Sequence, residues 1–162
     1  MLDLPALRTQ YRAHKSEVLQ TIARPTASAR DVRKLLTRLA SLADGLLCRL
    51  WSHAGLQEPF ALLAVGGFGR GELFPQSDVD VLVLLPDAFA VDDDATLRER
   101  IERFIGSCWD AGLEIGSSVR SLSDCLAEAS KDVTVQTALL ESRLIAGNAT
   151  LVAQFQQASF AS

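Results

Sequence analysis

Two aspartates two positions apart, Asp78 and Asp80, stand at the head of the apolar run Val79 to Leu85. In a strand, residues i and i+2 point to one face. Both carboxylates then converge on one spot while Val79, Val81 and Val83 pack behind them. Two ionised carboxylates at that range repel, and desolvation sharpens the repulsion. A divalent cation relieves it. Oxygen ligands suit Mg²⁺, which keeps waters and takes further ligands from substrate phosphates. Just upstream, Gly66, Gly67, Gly69 and Gly71 fall within six positions, directly after the short apolar run Ala61 to Val65. Glycine permits positive φ and a close ligand approach. Amides exposed in such a bend suit phosphate oxygens, above all where a helix begins. A phosphate cradle leading into a carboxylate pair predicts a metal-bound nucleoside triphosphate.

Neither feature is specific alone. A glycine-rich turn usually marks only a tight connection, and Ser77-Asp78-Val79-Asp80 can simply cap a turn or strand end. Together they are more telling, because acids have no packing reason to open an apolar strand. Ser77 fits a cap of the acidic turn or a phosphate contact. No Gly-Lys-Ser/Thr follows the glycines, which disfavours a P-loop.

The elements that must carry these residues read as an α+β domain. Leu4, Leu7, Tyr11, Val18 and Ile22 recur near helical spacing over 4–22, and Arg24-Pro25-Thr26 interrupts them. Ser28 and Asp31 resemble a capping pair for a second helix. Its stripe of Leu35, Leu36, Leu39, Leu42, Leu46, Leu47 and Leu50 reads as core, and Gly55 as its stop. Two strands, about 60–65 and 79–85, flank the glycines. Asp92, Asp93 and Asp94 read as solvated loop acids, with Asp93 or Asp94 capping a helix over 95–110. Leu113 to Arg120 reads as a third strand. Glu114 lies among apolar residues there, so either Arg120 or Arg70 pairs with it or it joins the metal site. The remainder reads as helices over about 122–130, 132–145 and 148–160. Trp51, Trp109 and Phe74 are expected in the core, and His14 and His53 on helix surfaces.

The 162 residues suffice for one hydrophobic core. The formal charge is −4, split as +4 over residues 1–60 and −8 over 61–162, so the acidic half carries the expected cation site. No stretch approaches a membrane span, and no secretory signal is visible at the N-terminus. Cys48, Cys108 and Cys125 form no Cys-x-x-Cys unit and read as reduced core thiols of a cytoplasmic protein.

From Gly66 to Leu84 the chain resembles the nucleotidyltransferase superfamily that includes polymerase β. More specifically, Gly-Gly-Phe-Gly-Arg-Gly-Glu-Leu-Phe-Pro-Gln-Ser-Asp-Val-Asp-Val-Leu-Val-Leu resembles the active-site stretch of the bacterial PII uridylyltransferase/uridylyl-removing family. Trp109 to Leu122 is similar to that family's next strand, and Leu139 to Gly147 to its following helix. The resemblance implies a polymerase β-like fold, a small mixed sheet flanked by helices, with residues 1–58 as an N-terminal helical region and 59–162 as the core. It implies transfer of UMP from UTP to a tyrosine hydroxyl of the nitrogen-signalling protein PII, with release of pyrophosphate. Asp78 and Asp80 match the metal-binding acids, Gly66 and Gly67 the triphosphate turn, and Glu114 the third carboxylate. Two Mg²⁺ ions are expected, with Arg70 assisting the glycine amides. Nucleic acid and membrane are not expected as partners.

The family's hydrolase and sensor domains lie outside this pattern, so the chain reads as a fragment of a longer enzyme, without deuridylylating or sensing activity. Ser117 stands where the family pattern has histidine. Two rival readings remain: a nucleotidyltransferase with another donor or acceptor, such as adenylyl transfer, and a non-catalytic module binding a partner through the basic N-terminal helices.

Overall fold

A computed structural model describes residues 2–22, 28–56, 59–89 and 91–160. The expected break at 24–26 lies outside these residues. The elements run α1 (Leu4–Ile22), α2 (Ala29–His53), β1 (Ala61–Ala64), α3 (Gly66–Gly69), β2 (Val79–Leu85), α4 (Ala95–Asp110), β3 (Ile115–Ser121), α5 (Leu122–Lys131), α6 (Val133–Leu140), β4 (Arg143–Gly147) and α7 (Ala149–Phe160). The sheet order is β3-β2-β1-β4. β1 runs antiparallel to β2 and β4, and β2 parallel to β3. This is the mixed, helix-flanked sheet that the resemblance implied.

Alternation along β2 divides the core. Val79, Val81, Val83 and Leu85 enter one apolar cluster with α1, α2 and α4, while Leu82 and Leu84 enter a second with α5, α6 and α7. β1 is buried on both faces, as its unbroken Ala-Leu-Leu-Ala run requires. The leucine stripe of α2 faces the first cluster, with Leu39, Leu47 and Leu50 almost wholly buried. Each such leucine contributes about 1.5–3 kcal/mol relative to exposure. Trp51 packs edge-on against Phe104 at 5.3 Å.

Helix starts follow local hydrogen bonding. Ser28 Oγ accepts from the Asp31 N–H at 3.2 Å, and Asp31 returns a contact to the Ser28 N–H at 3.0 Å, completing a capping box for α2. Asp94 caps α4 by accepting from the Leu97 N–H at 3.0 Å. Gly55, at φ 77°, stops α2 where expected.

Three expectations fail. Residues 132–145 are not one helix: α6 ends at Leu140, and Arg143–Gly147 pairs with the outer edge of β1. The unpaired backbone of β1 needs that partner, a tertiary demand that outweighs the helical spacing of the leucines. Phe74 and Trp109 are not core residues, being 53% and 52% exposed. Cys108 and Cys125 are buried free thiols, but Cys48 is only partly buried.

Candidate active site

β1 delivers the chain to the glycine bend. The Val65 N–H donates to the Asp80 carbonyl at 3.1 Å, tying the start of the bend to the acid-bearing strand. Gly66 then turns at φ 62°, a conformation that a side chain disfavours, and one helical turn follows. The first amides of a helix have no acceptor within it. α3 therefore presents N–H groups beside β2. Gly69 has another purpose: a Cβ there would lie 2.3 Å from the Glu141 carbonyl oxygen and 2.9 Å from that of Ala64, so it allows the bend to seat against its neighbours.

Asp80 sits on β2 opposite Gly116 of β3. A Cβ on Gly66 would lie 3.6 Å from Asp80 Oδ2, and one on Gly116 would lie 2.7 Å from Oδ1. The carboxylate thus occupies a slot between two glycines, one from the bend and one from the next strand. Asp80 is exposed to solvent at the mouth of this slot, yet desolvation by the protein around its carboxylate, followed by the nearby charge of Asp78, pushes its pKa up. The Asp78 charge is therefore felt at Asp80, as the smaller of the two causes. Asp78 immediately precedes β2 and is exposed. Both acids offer hard oxygen donors whose mutual repulsion a divalent cation would relieve, so the donor set fits Mg²⁺.

The other expected residues are less closely gathered. Arg70 follows α3, with Nη2 3.4 Å from where a Gly67 Cβ would be, so its guanidinium overhangs the bend. Its charge is engaged by Glu141 at 2.5 Å. Arg120 pairs with Glu128 at 3.1 Å. Glu114 therefore has neither expected arginine in an ion pair; exposed to water, it requires none. Its carbonyl accepts from the Val79 N–H at 2.9 Å, and it lines a cavity of about 240 Å³ with Tyr11, Lys15 and Ser77. Among the described residues, no three His, Cys, Asp or Glu side chains form a group that could hold a metal ion, so Glu114 does not complete a three-acid cluster with Asp78 and Asp80. Ser77 closes the preceding turn by donating its N–H to the Phe74 carbonyl at 3.1 Å. Ser117 is paired with Val81 and lies, by strand alternation, on the face away from Asp80.

A family profile described as a nucleotidyltransferase domain matches residues 47–133. This span holds the glycine bend, both aspartates and Gly116. The chain belongs to the nucleotidyltransferase domain family. Across 148 residues this nucleotidyltransferase domain is 53% identical to a bifunctional uridylyltransferase/uridylyl-removing enzyme of Burkholderia orbicola (strain AU 1054), covering 91% of the chain and 16% of that relative. It is also 53% identical over 153 residues to the enzyme of the same name from Burkholderia thailandensis (strain ATCC 700388 / DSM 13276 / CCUG 48851 / CIP 106301 / E264), covering 93% of the chain and 17% of the relative. The chain thus spans about one sixth of the length of these curated relatives.

Sequence reasoning missed four residues around the candidate site of this nucleotidyltransferase domain. Gly116 was findable, because an isolated glycine in a strand signals close approach. Glu141, Arg143 and Asp44 carried no local signal. Arg143 donates to Asp44 at 2.5 and 3.2 Å and to the Phe68 carbonyl at 2.9 Å, with its guanidinium 5.2 Å from the centre of the Phe68 ring. No described helix is long and apolar enough to cross a membrane.

Proposed function

We propose that this domain transfers UMP from UTP to a tyrosine hydroxyl of the nitrogen-signalling protein PII, releasing pyrophosphate. The observation that carries the reading is the Asp80 carboxylate slotted between Gly66 and Gly116, electrostatically coupled to Asp78. The names of the relatives support uridylyl as the transferred group.

Asp78 and Asp80 would hold the divalent cation, with two ions expected. Glu114 would join them only by swinging its exposed side chain from the cavity lip. A divalent cation held there would neutralise phosphate charge and would lower the pKa of the attacking hydroxyl. The first amides of α3 receive β- and γ-phosphate oxygens. Arg70 adds positive charge beside the bend, offsetting the charge that builds on the departing pyrophosphate. The tyrosine oxygen bonds to the α-phosphorus as the bond to the bridging oxygen breaks. The phenolic proton passes to a nearby carboxylate or water, and the electron pair leaves with pyrophosphate.

The test is incubation of the purified chain with radiolabelled UTP, ATP, CTP or GTP, Mg²⁺ and purified PII, with Asp80→Asn as control. Label from UTP alone should appear on PII and vanish with the variant. Labelling by ATP in place of UTP would reassign the donor, and no labelling by any nucleotide would defeat the proposal.

A further inference from the structure

A four-residue helix cannot hold its own position, because nucleating a single turn is unfavourable. The grip on α3 comes from the turn between α6 and β4. The Glu141 carbonyl packs against Gly69, and the Glu141 carboxylate pairs with Arg70 at 2.5 Å. Two positions on, Arg143 donates to the Phe68 carbonyl at 2.9 Å and covers the Phe68 ring. Arg143 is in turn held by both carboxylate oxygens of Asp44, from the middle of α2. Among the described residues its Nε is buried with no partner, while 32% of the side chain stays exposed, and its two Nη groups are engaged by Asp44 and the Phe68 carbonyl.

We propose that Arg143, oriented by Asp44, and Glu141 are positioning residues for the triphosphate. They fix the glycine bend and Arg70 at the distance from Asp80 that phosphate contacts require. Arg143 acts on the backbone, through Phe68, and Glu141 acts on the side chain of Arg70. This rests on the nucleotidyltransferase reading above. A planar fork is needed at 143, because one group must serve both a carboxylate and a carbonyl at fixed angles while stacking on a ring. A lysine keeps the charge but not the fork.

The experiment measures the Kd for UTP in Mg²⁺ buffer, together with the thermal melt, on the purified chain and on Arg143→Ala, Arg143→Lys, Asp44→Asn, Glu141→Gln and Arg120→Ala. Arg143→Ala should weaken UTP binding about tenfold while the chain still melts cooperatively, and lysine should restore less than half of that loss in logarithmic terms. Asp44→Asn should weaken binding about threefold and add nothing in the Arg143→Ala background, since it acts through the same group. Glu141→Gln should weaken binding about threefold by loosening Arg70. Arg120→Ala removes an ion pair of similar exposure away from α3 and should leave affinity within about twofold.

Unchanged UTP affinity in a folded Arg143→Ala overturns the proposal, as does an equal loss in Arg120→Ala. Should Arg143→Ala fail to fold, Asp44→Asn decides by the same measurement, and unchanged affinity there overturns it. An unsubstituted chain that binds no nucleoside triphosphate overturns the transferase reading and this inference together. A chain that binds UTP with all brace variants unaffected overturns this inference alone.

Discussion

Gly116 and Asp80 face each other across the parallel pairing of β3 and β2, and a Cβ at position 116 would fall 2.7 Å from Asp80 Oδ1. The atom that would have to yield is the end of a short side chain, so accommodation is inexpensive for the fold but not for the site. Gly116→Ala should turn the Asp80 carboxylate out of its slot and lower transfer by about tenfold or more, with a melting temperature within a few degrees of the parent. Steady-state labelling of PII alongside a thermal melt checks both halves. Parental activity in the alanine variant would show that the slot is wider than its geometry implies.

Removing the charge of Asp80 should be severe for chemistry and mild for folding. Asp80→Asn is expected to reduce transfer at least about 100-fold, near 3 kcal/mol of barrier. The fold should survive, because Asp80 gains nothing from its charge there: burial and Asp78 both oppose ionisation. Circular dichroism and single-turnover labelling on the same preparation separate the two effects.

The same opposition sets a pH dependence. The folded-state pKa of Asp80 is raised, so its contribution to stability is fully present below the ordinary carboxylate range. It is lost as pH rises through the raised value. Without divalent ions, a ¹³C titration of the Asp80 carboxyl should therefore show a midpoint above that of an ordinary aspartate. Asp78→Asn should lower this midpoint without normalising it, because burial, the larger cause, remains. A midpoint insensitive to Asp78 would mean that the two acids do not share a site.

Glycines in this chain are not equivalent. Gly69→Ala forces a Cβ against the carbonyl oxygens of Glu141 and Ala64 and should destabilise by about 1–3 kcal/mol or more. Gly45 lies exposed inside α2 with nothing within 4 Å of its notional Cβ, and Gly45→Ala should stabilise by about 0.5–1 kcal/mol. Urea titrations read both, and the opposite signs are the point of the comparison.

Burial raises the thiol of Cys108 to about 12 and that of Cys125 to about 11. Neither should be a thiolate at neutral pH, so both should resist a disulfide reagent until the chain unfolds. Cys48 is partly exposed, and burial and Asp44 raise it as well, so slow labelling should be confined to it. Rapid modification of all three in the native chain would contradict the packing of α4 and α5.

Much of this was readable from local chemistry. The capping box at Ser28 and Asp31, the leucine stripe of α2 and the alternation of β2 each depend on neighbours in sequence. The acids and the glycine bend were visible for the same reason. β4 was not, because Leu140 and Leu144 fit helical spacing, yet Leu140 ends α6 and the open edge of β1 draws Leu144 into a strand. The partners of Arg70 and Arg143 were hidden likewise: Arg143 meets Asp44 from 99 positions away, where no local pattern extends. Phe74 and Trp109 were misjudged because an apolar side chain need not be an inner one.

Phe68 is synthesised 75 positions before the guanidinium that takes its carbonyl. At about 5–20 residues per second, a ribosome takes roughly 4 to 15 seconds to cross that gap. Throughout it, a growing polypeptide already carries its glycines and aspartates, but one margin of β1 stays open to strangers. Arrival of the last strand shields that margin and, in the same step, brings the Arg143 guanidinium to the Phe68 carbonyl.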